Sequence, residues 1–233
     1  MIPLRDTTKS GSFPLVNTVF IAINIAVFIY SIWFTHDHRL FMYRFGLVPA
    51  IVTTDLEIGI FNRLYPFFTS IFLHAGWMHI IGNMLFLYIF GENIEHRLGH
   101  IKYFFFYLLT GIIAALIQFL ISTGSVIPIV GASGAISGVL GAYLIFFPKS
   151  RIVTVVPILF FIRIIHLPAT VFIFIWFLIQ FIGGINSAGR GADVGGVAFW
   201  AHIGGFVAGL LLAQFFVKEL NYRQKSFNGY YKN

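Results

Sequence analysis

Cysteine is absent from this 233-residue chain, and charged residues are scarce. The absence of cysteine excludes structural disulfides, zinc sites built from thiolates and a cysteine nucleophile. Charged residues make up only 10% of the chain, hydrophobic residues make up 58%, and the mean hydropathy is +0.89. A soluble domain of this length needs a more polar surface, so the composition predicts an integral membrane protein.

Acidic residues are the rarer charged type, since 8 Asp and Glu stand against 15 Lys and Arg. In a soluble chain the resulting net charge of +7 would suggest nucleic-acid binding. Here the basic residues lie between apolar runs, where they set the topology and meet anionic lipid headgroups. The sequence therefore predicts the lipid bilayer as a partner and no binding to nucleic acid.

Six apolar runs predict an all-α fold, a polytopic membrane bundle of six transmembrane helices without a second domain. The predicted spans are about 15–34, 77–95, 101–121, 131–147, 168–182 and 197–217. The fourth run is short for a span, so we expect it to begin below the membrane surface.

Polar segments flank and connect these spans within the membrane domain, 15–217. An N-terminal segment, 1–14, precedes the first span, and a basic tail, 218–233, follows the last one. The charged first loop, which ends near residue 68, is expected to be ordered and to dip partly into the membrane interface. Residues 152–167 are expected to form an interfacial connector, and the glycine-rich loop 183–196 is expected to act as a mobile cap.

Lys and Arg predict the orientation of the bundle, because they are enriched in cytoplasmic connections. If the N-terminus is cytoplasmic, that side collects Arg5, Lys9, Arg97, Lys102, Lys149, Arg151, Arg163, Lys218, Arg223, Lys225 and Lys232. The other side collects Arg39, Arg44, Arg63 and Arg190. Both termini are therefore predicted to be cytoplasmic. The compact form and the lack of a transit peptide favour a prokaryotic inner membrane.

A segment of small residues, Gly131–Gly138, opens the fourth run. A helix start leaves backbone N–H groups without partners and carries partial positive charge, which favours a hydroxyl that loses its proton. Gly131 and Gly134 flank Ser133 and leave it accessible, so Ser133 is a candidate nucleophile. The same small residues would also let two membrane helices pack closely without any chemistry, and the segment alone favours that simpler interpretation.

Ionisable groups inside the spans are costly in lipid, so each one is a functional hypothesis, and only a few candidates pass this filter. His79 and Asn83 are four residues apart and share one face of span two. His202 lies early in span six beside Gly205 and Gly209, whose spacing matches the small-residue stripe of span four. All these groups fall at one depth. Taken alone, His79 and Asn83 are explained equally well as a hydrogen-bonded pair between helices. His202 alone is slightly better explained as a packing histidine than as a catalytic one.

Together, these residues predict nucleophilic catalysis without a metal or a cofactor. His202 would accept the proton of Ser133 and later return it to the leaving amine. The glycines matter because a hydrogen bond of about 2.6–3.2 Å between two helices requires close backbones. His79 and Asn83 would donate to the oxyanion beside the Ser133 backbone N–H. No acid lies in a span where it could orient His202, so a dyad is predicted.

Four motifs of this chain resemble those of the rhomboid intramembrane serine proteases, in their bacterial six-span form. The motifs are G-x-S-G at 131–134, A-H-x-x-G-x-x-x-G at 201–209, H-x-x-x-x-H-x-x-x-N at 74–83 and E-x-R-x-G at 95–99. The resemblance implies that Ser133 is the nucleophile, that His202 is the base, and that His79 and Asn83 stabilise the oxyanion. It implies structural roles for His74, Glu95, Arg97, Gly99, Gly131, Gly134, Gly205 and Gly209. It also implies that the substrates are single-span membrane proteins, which are cut near the outer face.

Two positions depart from the family pattern. Many members carry Trp-Arg in the first external loop, where this chain has Tyr65-Pro66. Well-studied members carry a tyrosine that packs on the base four residues after the nucleophile, where this chain has Ser137. The resemblance therefore leaves open which group orients His202.

Rival functions are weaker on sequence grounds. A non-catalytic rhomboid-fold protein would bind transmembrane helices in a chaperone-like role, but such members lack the serine or the histidine that this chain keeps. A transporter would need charges at the membrane midplane, and spans one, three and five offer none. A metalloprotease would need H-E-x-x-H, and an aspartyl protease would need two embedded acids; both are absent.

Overall fold

The computed structural model describes residues 1–8, 11, 13–54, 59–158, 161–187 and 197–230. The chain is mainly helical, as predicted. Its helices are α1 (Leu15–Trp33), α2 (His38–Phe45), α3 (Pro49–Thr54), α4 (Ile60–Thr69), α5 (Trp77–Phe86), α6 (Glu92–Leu98), α7 (His100–Ile121), α8 (Ser133–Phe146), α9 (Ala169–Ser187) and α10 (Phe199–Tyr230). Its strands are β1 (Ile2–Asp6), β2 (Arg151–Ile158) and β3 (Phe161–Pro168).

Four described helices are long and apolar enough to cross a membrane: Leu15–Trp33, His100–Ile121, Ala169–Asn186 and Phe199–Val217. A fifth candidate is the bent pair of Ile60–Phe72 and Trp77–Leu98, whose two parts meet at 76°. Helix α8 is apolar but has only 14 residues, and its start below the membrane surface stays a prediction. The chain is therefore an integral membrane protein, and the count of six spans stays a prediction.

Helices α5 and α6 form one continuous helical segment that is interrupted by a π-helical turn at Leu87–Gly91. An extra residue in one turn rotates the following residues about the helix axis. The segment ends at Gly99, whose φ of 79° lies in the left-handed region that favours glycine. The helix therefore runs three residues beyond the predicted end of span two.

The centre of the bundle is α8, whose residues from Gly134 to Tyr143 are all buried. It packs closely against α10, because glycines of both helices let the backbones meet. A Cβ atom on Gly205 would overlap the carbonyl oxygen of Gly134, and one on Gly209 would overlap that of Gly138. This close contact places the first turn of α8 directly against the first turns of α10.

A three-stranded antiparallel sheet lies at the opposite end of α8 from Ser133, in the order β1-β2-β3. In the register, Ile152 of β2 faces Asp6 of β1 and Leu167 of β3. The predicted connector at 152–167 therefore forms strands in its described residues, and its position at the membrane interface stays a prediction. These residues are rich in Ile, Val and Thr, which favour strands, and the N-terminal segment supplies the third strand.

The described residues of the first loop, 35–54 and 59–68, contain the short helices α2 and α3 and most of α4. Backbone hydrogen bonds between Leu47 and Ile129 tie it to the segment that leads into α8. The Tyr65 hydroxyl donates to the carbonyl oxygen of Arg44 at 2.5 Å, and Pro66 is buried within α4. Tyr65 thus ties α4 to the end of α2 and anchors the loop. The predicted mobile cap at 183–196 lies mostly outside the described residues.

Candidate active site

Ser133 is the first residue of α8, so its backbone N–H has no acceptor within the helix. The preceding Gly131 has a φ of 128°, and its N–H donates to the carbonyl oxygen of Ser70 at 2.9 Å. A Cβ on Gly131 would lie 2.7 Å from Nε2 of His79. Glycine is therefore required here for two reasons, the positive φ and the close approach of the histidine ring.

Ser133 and His202 are directly hydrogen-bonded, with 2.8 Å between Oγ and the ring Nε2. The two residues lie 69 positions apart in the chain, on α8 and α10. The glycine contacts described above bring these two helices close enough for the bond. The structure thus brings together the two residues that the sequence predicts as nucleophile and base.

The other ring nitrogen of His202 faces α9. Its Nδ1 lies 2.7 Å from Oε1 of Gln180, and the Trp176 ring lies 6.1 Å from the imidazole, centroid to centroid. Trp176 and Gln180 are one helical turn apart and share one face of α9. Ser137 contributes nothing to the ring, since its hydroxyl donates to the carbonyl oxygen of Ser133 at 2.6 Å. The orientation of the His202 ring is therefore supported by Gln180 and Trp176 of α9 and not by Ser137 of α8.

Sequence reasoning missed both α9 residues. That reasoning starts from ionisable groups and adds the neutral Asn83 because it shares a helical face with His79, whereas the predicted span 168–182 contains no ionisable residue. One signal was available: Gln180 is an amide within an otherwise apolar run from Val171 to Ile182. A polar side chain in lipid needs a hydrogen-bond partner, so Gln180 was a candidate for contact with another span.

The predicted oxyanion donors lie on α5, on one face. His79 accepts a long hydrogen bond, 3.5 Å, from the Ala75 backbone N–H to Nδ1, which leaves a proton on Nε2 near Gly131. Asn83 is 8% exposed, and its Nδ2 has no hydrogen-bond partner among the described residues. A buried amide without a partner is costly unless another molecule supplies the acceptor. Both side chains are thus donors without a strong internal acceptor.

His74 is fully buried, and its ring packs edge-on against that of His79 with 5.1 Å between the centroids. Neither of its ring nitrogens has a partner among the described residues. The residue therefore lies enclosed behind His79. It supports the position of the His79 ring through packing.

A cavity of about 370 Å³ adjoins these residues. It lies between α2, the 125–130 segment and the two residues before α10, Val197 and Ala198, and it reaches His79 and Gln118. The first loop thus covers a space that reaches the candidate site. Within the described ranges no three His, Asp or Glu side chains cluster in a way that would hold a metal ion.

The E-x-R-x-G motif lies far from Ser133, at the opposite end of the bundle. Glu95 is 1% exposed and accepts hydrogen bonds from the backbone N–H groups of Val16 and Asn17, at 2.8 and 2.7 Å. Its carboxylate therefore caps the first turn of α1. The Arg97 guanidinium lies over the Phe146 ring at 5.5 Å, and Gly99 ends α6.

Fold and site together define a polytopic helical membrane protein with a hydrogen-bonded Ser–His pair at the start of a buried helix. A family model described as the rhomboid domain matches residues 62–219. The chain therefore belongs to the rhomboid family, which includes serine proteases that act within membranes and also inactive members.

Relatives come from several kinds of organism. Rhomboid protein 1 of Saccharomyces cerevisiae mitochondria is 26% identical over 210 residues, 88% of this chain and 54% of that protein. Chloroplastic Rhomboid-like protein 11 of Arabidopsis thaliana is 41% identical over 78 residues, 34% of this chain and 28% of that protein. The Bacillus subtilis protein YdcA, provisionally named a rhomboid protease, is 33% identical over 92 residues, 39% of this chain and 46% of that protein. The chain thus spans about half or less of the length of these relatives.

Proposed function

We propose that this chain is an intramembrane serine endopeptidase that cleaves transmembrane helices of other membrane proteins near the outer membrane face. One observation carries the proposal: the 2.8 Å hydrogen bond between Ser133 and His202 of two different spans. An isolated serine in a membrane helix normally donates to its own backbone, as Ser137 does. A serine at a helix start that instead contacts a histidine has the arrangement of an activated nucleophile.

Acylation would begin when the Ser133 Oγ attacks the scissile carbonyl carbon. His202 Nε2 takes the hydroxyl proton as the new C–O bond forms, and the carbonyl oxygen becomes an oxyanion. The backbone N–H of Ser133, His79 Nε2–H and Asn83 Nδ2–H then supply donors for that oxyanion. When the C–N bond breaks, His202 gives its proton to the leaving amine, and an acyl ester remains on Ser133.

Deacylation would use water that reaches the site through the adjoining cavity. His202 removes a proton from the water while its oxygen attacks the ester carbon. The proton returns to the Ser133 Oγ as the ester bond breaks, which restores the starting pair. No metal and no cofactor takes part in either half of the reaction.

Helical substrates must unwind before they react, because the peptide carbonyl of an intact helix is hydrogen-bonded and enclosed. We therefore expect single-span substrates with small or helix-breaking residues near the cut. The distribution of Lys and Arg supports cytoplasmic termini, which puts the Ser133 end of the bundle near the outer face. A prokaryotic inner membrane is our proposed location.

The test is cleavage of a single-span substrate by the purified protein in detergent, together with labelling by a fluorophosphonate probe. Wild type is expected to cleave and to be labelled, whereas Ser133→Ala loses both and His202→Ala loses cleavage. Ser137→Ala is the matched control, because it removes a hydroxyl one turn away on the same helix and should keep both activities. Cleavage that survives Ser133→Ala would overturn the mechanism. A folded wild type that neither cleaves nor reacts would instead favour a non-catalytic protein that binds helices.

A further inference from the structure

We infer that Gln180 is a positioning residue for His202, so that the site is a Ser133–His202–Gln180 triad rather than an isolated dyad. The inference rests on the proposed function, since it assigns a part to Gln180 within the same chemistry. Gln180 is 9% exposed and lies on α9, a different span from either partner. Its Oε1 and the His202 Nδ1 are 2.7 Å apart, as close as the 2.8 Å between Nε2 and the Ser133 Oγ.

The contact selects the tautomer that catalysis needs. A carboxamide oxygen only accepts, so Oε1 of Gln180 requires a proton on Nδ1 of His202. Neutral imidazole carries a single ring proton, and Nε2 is then left with a lone pair that faces the Ser133 hydroxyl. In the opposite tautomer Nε2–H would donate to Ser133 Oγ and could not remove its proton. Gln180 therefore does for this histidine what a carboxylate does in a Ser–His–Asp triad.

An amide side chain costs less free energy at this buried position than an ionised carboxylate does. Gln180 lies in an apolar span, where an ionised carboxylate would be costly to bury. When His202 takes the proton of Ser133, Oε1 still accepts from Nδ1–H and stabilises the imidazolium through its dipole. The stabilisation is smaller than that of a full charge, so the resting histidine stays neutral and available as a base.

Trp176 completes the support from α9. Its ring lies one turn before Gln180 and 6.1 Å from the imidazole, tilted by 37°. The hydrogen bond fixes rotation of the ring about its long axis, and the indole limits its sideways movement. Helix α9 thus carries both functions that Ser137 of α8 cannot supply.

The groups around His202 determine how the pH dependence of cleavage is interpreted. In the part of the chain that the structure describes, the groups that face its ring are Ser133, Gln180, Trp176 and, from α5, His79. His79 is the one other imidazole among these, so substitutions at Gln180 must be compared within an unchanged His79 background.

Two variants of Gln180 test the inference through the pH profile of kcat/KM. Gln180→Leu removes the acceptor, and we expect kcat to fall by about 10²-fold with little change in KM, because the wrong tautomer becomes populated. Gln180→Glu restores an acceptor that carries charge. We expect it to cleave, with the acid limb of its profile moved to higher pH by about one unit or more, because the carboxylate stabilises the imidazolium.

Gln118→Leu is the matched control. Gln118 is another buried glutamine, 7% exposed, whose Oε1 accepts from the Ala201 backbone N–H at 3.2 Å beside His202. Its loss should lower the unfolding temperature but leave the acid limb in place. If Gln180 had only a structural role, both Gln180 variants would also lower the unfolding temperature and leave the acid limb of the pH profile in place. That outcome would overturn the inference.

Nitrogen-15 NMR of labelled histidine separates this inference from the proposed function. In the wild type we expect the His202 resonances of the Nδ1–H tautomer, and in Gln180→Leu a mixture of both tautomers. An Nε2–H tautomer in the wild type would overturn the inference even if cleavage occurs. Failure of the wild type to cleave, with the Nδ1–H tautomer present, would instead count against the proposed protease.

Discussion

The two ends of the bundle treat buried polar groups in opposite ways. At the end opposite Ser133, Glu95 accepts from two backbone N–H groups and from His100, and Asp6 accepts from the Tyr143 hydroxyl and the Asn93 amide. At the Ser133 end, Asn83 Nδ2 and both nitrogens of His74 lack partners among the described residues. Among the described residues, the Glu95 and Asp6 carboxylates are fully engaged in hydrogen bonds at the first end, whereas polar side chains at the Ser133 end lack partners.

We infer from this difference that the end opposite Ser133 contributes mainly to stability and that the Ser133 end contributes mainly to reactivity. A saturated network lowers the free energy of the folded state and leaves nothing for a substrate to bind. Unpaired donors cost stability, and a folded protein retains them where a ligand or a transition state supplies the acceptor. Substitutions at the Ser133 end should therefore change the reaction rate, whereas substitutions at the other end should change the free energy of unfolding.

Two asparagines on the same helical segment give the sharpest form of this comparison. Asn83→Ala removes a donor that we propose for the oxyanion, so we expect kcat to fall by about 10²–10³-fold with an unchanged unfolding temperature. Asn93→Ala removes hydrogen bonds to Asp6 and to the Ile89 carbonyl oxygen, at 2.9 and 3.2 Å, and should destabilise the fold by about 1 kcal/mol. Steady-state kinetics and thermal unfolding of both variants check the prediction. Equal effects of the two on both quantities would remove the distinction between the ends.

The contact between α8 and α10 provides the next largest effect. Gly205→Ala places a Cβ on the carbonyl oxygen of Gly134, so the helices must separate and the Ser133–His202 bond must lengthen. A misplacement of about 1 Å in such a pair costs about 10²-fold in rate, which fluorophosphonate labelling would report.

Gly204→Ala is its control. The three atoms nearest the added Cβ there all belong to the Ile117 side chain of α7, at 2.5 Å for Cδ1, 3.0 Å for Cβ and 3.1 Å for Cγ2, so the close contact is with α7 and not with the backbone of α8. Labelling should therefore stay within a few fold of wild type. Equal loss of labelling in both variants would show that any added methyl group in this helix is harmful, and that the backbone contact is not special.

Much of this arrangement follows from local sequence. Hydropathy predicts the long helices because lipid requires about 20 apolar residues, and small residues at four-residue spacing predict the contact between α8 and α10. The glycines around Ser133 predict an accessible hydroxyl at a helix start. These inferences need only neighbouring residues and the properties of the membrane.

The parts that the sequence did not predict depend on contacts between distant segments. Strand β1 pairs with β2 across about 150 residues, and nothing in residues 2–6 indicates that partner. Gln180 meets His202 only because α9 and α10 are neighbours, and a neutral amide carries no motif. The pairing of the strands and the contact between Gln180 and His202 can therefore be recognised only from the tertiary structure.

Glu95 tests the end opposite Ser133, with a smaller expected effect. Glu95→Gln leaves one of the Val16 and Asn17 N–H groups facing an amide donor, so we expect a loss of about 1–3 kcal/mol in the free energy of unfolding. His100→Ala removes only the half-exposed partner of the same carboxylate and should cost less than about 1 kcal/mol. Denaturant titration in detergent measures both, while kcat of the folded fraction should be unchanged in each. A fall in kcat would connect this end to the reaction.

Asp6 should give the smallest effect, which depends on pH. Burial raises the pKa of its carboxyl above the ordinary value of 3.8, although hydrogen bonds from Tyr143 and Thr8 act in the opposite direction. The folded state therefore holds the proton at pH values where the unfolded state has lost it. The stability from this group is complete below the ordinary pKa and decreases as the pH rises through the raised one. Unfolding temperatures of wild type should thus decrease across this window, and those of Asp6→Asn should not. A parallel decrease in the variant would assign the pH dependence to another group, and the kcat of Asp6→Asn should match wild type if this end serves stability alone.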